Sequence, residues 1–180
     1  MRLALLAGLS VLLTAVPGAA QLTADVHTSP SARIVGPAEG EARILPDGRQ
    51  MLLKVGPANG GAAYLFLGAE DLPSGTSIPR HRHELDEEIL IVQRGTVTVA
   101  LNDRAHTATA GSVVYLPPRT WIALSNEATE TATVMFVFPR GAMERCFQFV
   151  GRGPGEAQRE PTEAELAEER RTCQMTYRPH

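Results

Sequence analysis

A chain of 180 residues, 43% of them hydrophobic, is long enough to bury one sizeable core and points to a single domain. Its 17 basic residues against 20 acidic ones give a net charge of -3, which leaves no basic excess for a nucleic-acid surface.

The first residues are Met1-Arg2, an apolar run from Leu3 to Val16, and Pro17-Gly18-Ala19-Ala20, which is the charged, apolar and small-residue order of a secretory signal. Cleavage is expected after Ala20, with export to the periplasm or the medium of a bacterium. About fourteen apolar residues fall short of the roughly twenty that a bilayer-spanning helix needs, so no membrane partner is expected once the signal is removed. The expected organisation is a signal peptide over 1–20, a loosely held arm over 21–40 that contains His27, a barrel over 41–150, and a linker with a short helix over 151–180.

Ala42 to Leu45, Pro46-Asp47-Gly48-Arg49, and Gln50 to Val55 read as strand, turn, strand, with Asp-Gly supplying the turn chemistry. Gly56 to Gly61 reads as a loop, and Ala63 to Leu67 as a buried strand leading to a turn at Leu72-Pro73-Ser74-Gly75. The runs Thr96 to Leu101, Ala105 to Thr109, Ser112 to Leu116, Trp121 to Ser125 and Thr131 to Phe138 alternate apolar and polar residues as half-buried antiparallel strands do. Short strands at this spacing, punctuated by Gly, Pro and Asn-Asp, predict an all-β barrel or sandwich.

Between Gly75 and Gly95 lies the stretch that carries chemistry. Residues two apart on a strand share a face, so His81 and His83 converge while Arg80 and Arg82 point the other way. Glu88, Leu90 and Val92 form one alternating set on the next run, and Glu87 falls on its opposite face. Two imidazoles and one carboxylate are a sufficient ligand set for a divalent cation, with open positions left over.

The chain then changes character at Gly151-Arg152-Gly153-Pro154-Gly155, a flexible link. Thr162 and Glu165 make a capping box for a helix that opens near Pro161. Cys146 and Cys173 are the only cysteines, and an oxidising compartment permits them to pair. Neither has a local His or helix start that would activate a thiol. A structural disulfide is expected, joining Cys146 in the last strand segment to Cys173 on a helix that acts as a clasp.

The spacing Gly75, His81, His83, Glu88, Gly95 resembles the first motif of the cupin family at every position. The family's second motif, Gly, five residues, Pro, one, Gly, two, His, three, Asn, falls here on Gly111, Pro117, Arg119, Ile122 and Asn126. Arg119 thus replaces a glycine, and Ile122 stands where the family places its fourth metal ligand. The resemblance implies a double-stranded β-helix, or jelly-roll barrel, followed by the short C-terminal helix. It implies a metal held by His81, His83 and Glu88, with Fe(II) favoured and Mn, Ni or Zn as alternatives. Family spacing also selects Glu88 over Glu87. A glycine with positive φ at position 119 would force the loop to differ here, since arginine disfavours that conformation. The length and layout resemble bacterial quercetin-dioxygenase-like single-domain cupins. That implies a dioxygenase acting on a small oxygen-rich organic molecule, with Glu88 also able to accept a substrate proton, and a homodimer as the assembly that fits the family. Arg119 at the barrel mouth, Ile122, and Trp121 and Tyr115, at the mouth or in the core, complete the substrate-facing candidates. A non-catalytic small-molecule-binding barrel and a metal-dependent isomerase or lyase remain the alternatives.

Overall fold

The computed structural model describes residues 32–59, 62, 64–139, 141–157 and 159–178. The expected signal peptide, His27 and most of the expected arm lie outside the described residues. Among the described residues no helix is long and apolar enough to cross a membrane.

Among the described residues, ten strands run in order before the helix α1: β1 Glu41–Ile44, β2 Gln50–Val55, β3 Leu65–Leu72, β4 Ser77–His83, β5 Glu88–Arg94, β6 Thr96–Leu101, β7 Arg104–Thr109, β8 Val113–Leu116, β9 Ile122–Ser125 and β10 Ala132–Pro139. Helices α1 Ala142–Val150 and α2 Glu163–Cys173 follow, then β11 Met175–Tyr177. One sheet has the order β1-β2-β3-β10-β5-β8, the other β11-β4-β9-β6-β7, and the paired strands are antiparallel. The two sheets face each other across the core as a jelly-roll barrel.

Alternation sets which side chains fill that core. On β10, Ala132, Val134, Phe136 and Phe138 point inward and are buried. On β3 the inward set is Phe66, Gly68, Glu70 and Leu72. Phe66, Phe136, Phe138 and Phe147 form an aromatic cluster with ring centroids 5.4–6.4 Å apart. Full burial of each such ring contributes roughly 2–3 kcal/mol. Gly68 is what lets the Phe136 ring approach β3 so closely, because a Cβ there would stand 2.3 Å from it.

Two expectations change. Cys146 lies on helix α1, not on a strand, because β10 stops at Pro139. Met143, Cys146, Phe147 and Val150 then recur at i, i+3, i+4 and i+7, the spacing of one helical face. The loop at Arg119 also keeps a left-handed conformation, φ +66°, even though a side chain with a Cβ occupies it. Its N–H donates to the His83 carbonyl at 2.7 Å, which ties that loop to the end of β4.

At the far end, the capping box forms: Thr162 Oγ1 accepts from Glu165 N, and Thr162 N donates to Glu165 Oε2 at 2.8 Å. Bonds from Arg159 and from the cap hold the Glu165 carboxyl well below the usual carboxylate range. A disulfide joins Cys146 to Cys173 and so fastens α2 to α1. β11 pairs with β4, setting Met175 opposite His83 and Tyr177 opposite His81.

Candidate metal centre

His81 and His83 are inward residues of β4, 7% and 6% exposed, while Arg80 and Arg82 take the outer face as the alternation requires. Outside, Arg80, Arg82 and Arg178 stand over the Trp121 ring at 5.7, 4.8 and 5.4 Å. Glu88, the first residue of β5, turns inward and is 6% exposed. Glu87 lies outside and accepts a hydrogen bond from Tyr115 Oη at 2.8 Å.

The three inward groups are neighbours. His83 Nε2 stands 3.3 Å from Glu88 Oε2, and the His81 and His83 rings meet edge to face with centroids 5.3 Å apart. Both ring nitrogens of His83 and Oε2 of Glu88 are buried without a hydrogen-bond partner. His81 differs, because its Nδ1 lies 2.8 Å from the Pro79 carbonyl, an acceptor. That bond places the ring proton on Nδ1 and turns the Nε2 lone pair outward from it. Burial pushes the His81 pKa below its ordinary value, the Pro79 bond opposing, so the ring is neutral near pH 7.

Among the described residues no group of three or more His, Cys, Asp or Glu side chains closes on one point as a bound ion requires. The donors nevertheless fit a divalent cation chemically: neutral imidazoles, a carboxylate, and buried atoms that lack any other partner. Ile122, at the fourth-ligand position, is 1% exposed and pairs directly across from His81.

A cavity of about 810 Å³ opens beside these residues, a size suited to a small organic molecule. Phe136, Phe138, Phe147 and Ile122 line its apolar wall, and Cys146, Cys173, Arg159 and Tyr177 belong to its cover. Of the expected substrate-facing residues, only Ile122 reaches it. Arg119 has a side chain 72% exposed and lies 3.7 Å from Glu84. Trp121 sits under its arginines on the outer face, and Tyr115 is 57% exposed beside Glu87. Neither aromatic lines the cavity. His106 is exposed on β7 and takes no part.

Two cavity residues were not anticipated from the sequence. Glu70 is buried at 4% exposure, and Arg49 Nη1 donates to its Oε1 at 2.6 Å. Arg49 Nε also donates to Asp47 Oδ2 at 2.7 Å. The signal available was a carboxylate on the inward alternation of β3. The partner for it lay 21 residues away in what reads as a turn.

Residues 68–138 match the family model described as a cupin domain, Cupin_2. That stretch is similar to a cupin domain, and the two sheets have the jelly-roll barrel fold of its structural neighbours. The chain is similar to the polyketide cyclase RemF of Streptomyces resistomycificus, at 17% identity over 79% of this chain and 99% of that one, TM-score 0.55. A predicted oxalate decarboxylase of Thermotoga maritima aligns at 19% identity over 60% and 99%, TM-score 0.53. A Cupin 2 conserved barrel domain protein of Salinispora arenicola aligns at 23% identity over 66% and 95%, TM-score 0.51. No curated protein matches the sequence.

Proposed function

We propose that this is an exported cupin enzyme that holds a divalent cation, Fe(II) by preference, with His81, His83 and Glu88, and converts a small oxygen-rich organic molecule in the manner of a dioxygenase. The observation that carries the reading is the set of buried atoms on His83 and Glu88 that make no hydrogen bond, beside the free face of His81, all on the wall of one cavity. Unpaired buried polar groups of this kind cost about 1–3 kcal/mol each, which a ligand to all of them would offset. The bound cation would supply Lewis acidity, lowering the pKa of an oxygen group beside it.

The chain's own residues do the rest. Neutral His81 presents Nε2 because Pro79 holds its proton on Nδ1. Phe136 and Phe138 give an apolar body a place to lie, and residues of α1, α2 and β11 line the cavity beside them. Ile122 leaves one side of the site without a protein donor, which keeps that side open to a substrate oxygen. The Cys146–Cys173 disulfide supports an oxidising compartment.

Elemental analysis of protein made in the periplasm tests the reading. Metal at near-equimolar content is expected, and His81→Ala or Glu88→Ala should lose it while Glu87→Ala, Asp86→Ala and His106→Ala retain it. Oxygen uptake with a panel of flavonols and β-diketones then separates a dioxygenase from an isomerase or lyase. A second reading, a barrel that binds a small molecule without turnover, is favoured by the absence of a closed donor trio among the described residues. Metal-free protein from the periplasm would select it.

A further inference from the structure

Glu70 is a second buried carboxylate of the cavity, and the donor set has no use for it. Its cross-strand neighbours are Val134 on β10 and Met51 on β2, both apolar. The charged groups that face it are Arg49 and Asp47, from the β1–β2 turn, and Glu88, from β5 across the cavity. His81 on β4 and Tyr177 on β11 lie beyond, both within the field of Arg49. Burial raises the Glu70 carboxyl from its ordinary 4.5 to about 7, against the opposing pull of Arg49. A group poised there gains and loses a proton near neutrality at little cost. Glu88, by contrast, is committed to holding the cation.

We propose that Glu70 is the proton acceptor of the cavity, taking the proton of a ligand hydroxyl that enters the site made by His81, His83 and Glu88, with Arg49 as its positioning residue. The proposal rests on the metal-cupin reading. The ligand O–H bond breaks and its electron pair stays on the ligand oxygen. The proton forms an O–H bond on the Glu70 oxygen that Arg49 does not hold. Arg49 keeps the carboxylate on the cavity wall at 2.6 Å, and Asp47 keeps Arg49 in place. When the ligand leaves, the proton returns to it.

The ligand oxyanion left beside Glu70 raises its proton affinity further, so the carboxyl, mostly ionised in the free protein just above pH 7, keeps the proton in the complex. The test uses zinc-loaded full-length protein and nitrocatechol as the hydroxylic probe, titrated calorimetrically at a pH just above 7 in two buffers of different ionisation enthalpy. Glu70→Gln should release about one more proton to the medium per bound molecule than the wild type, while Glu70→Asp restores the wild-type count. An infrared difference spectrum of the wild type should gain a protonated-carboxyl band on binding. Equal proton release by wild type and Glu70→Gln overturns the assignment of Glu70 alone. Should Glu70→Gln not fold, the wild-type spectrum decides, and absence of the band overturns the assignment. A zinc-loaded protein that binds no probe, or binds it equally well as His81→Ala, overturns the metal reading beneath the proposal.

Discussion

Ile122 and His81 are directly cross-strand, so a donor at position 122 would join the His81 side of the site. Ile122→His should therefore tighten divalent metal binding by about tenfold, of order 1.4 kcal/mol for one added neutral ligand, as read by calorimetric titration of the apo protein. The same imidazole would fill the open side, and turnover on any chelating substrate should fall. Unchanged affinity in a folded variant would count against the site. Two other residues set a pH dependence. Glu70 is raised from 4.5 to about 7, so the native state binds more protons than the unfolded state in that window. Its contribution to stability is fully present below 4.5 and is lost as pH rises through 7. His81 is lowered from 6.5, so its contribution is present above 6.5 and is lost as pH falls. The two oppose each other in acid, and above 6.5 only Glu70 still acts. Urea unfolding should then show wild-type stability falling from pH 6.5 to 8 relative to Glu70→Gln. At this scale the shared inward face of His81 and His83 was legible from strand period, whereas Glu88 was chosen over Glu87 by the family spacing alone. Arg49 and Glu70 were not, since nothing local announces an ion pair closed between a hairpin turn and another strand.

At the scale of elements, the capping box named α2 from four residues, Thr162 to Glu165, because that signal is short-range and chemical. Helix α1 carried an equally clear i, i+3, i+4, i+7 pattern but follows β10 after a break of only two residues, Gly141 among them. An apolar run so close to a strand reads as its continuation. β11 is three residues long and owes its existence to the open edge of β4, which no local pattern states. The disulfide, in contrast, followed from cysteine count and expected compartment although one of its elements was misassigned. Closing a loop of 27 residues should contribute about 3 kcal/mol, chiefly through the unfolded chain. Cys146→Ser with Cys173→Ser should lower stability by that amount in chemical denaturation. It should also weaken retention of any ligand in the cavity, because both cysteines lie in its cover.

For the whole molecule, the barrel was legible because short alternating strands and turn residues recur along the chain, and because the glycines of the motif fall where sharp turns are needed. Gly95 shows why: at φ +77° a Cβ would stand 2.9 Å from Ala132 Cα, so the β5–β6 turn packs against the start of β10 with no room for a side chain. What the pattern could not state was the order of strands in each sheet, which depends on long-range pairing such as β3 with β10. The position of Trp121 follows from that order. It is the chain's sole tryptophan and lies under arginines from β4 and from the residue after β11, on the reverse side of the strand that bears both histidines. The protein thus has a built-in fluorophore reading the back of its own site. Its emission should shift when a divalent ion rigidifies β4, with no label added, and should lose that response in His81→Ala. In denaturant the same emission should change together with far-ultraviolet ellipticity if the C-terminal strand and the barrel melt as one unit. An earlier change in emission would show β11 peeling away first, leaving the barrel intact around an uncovered cavity.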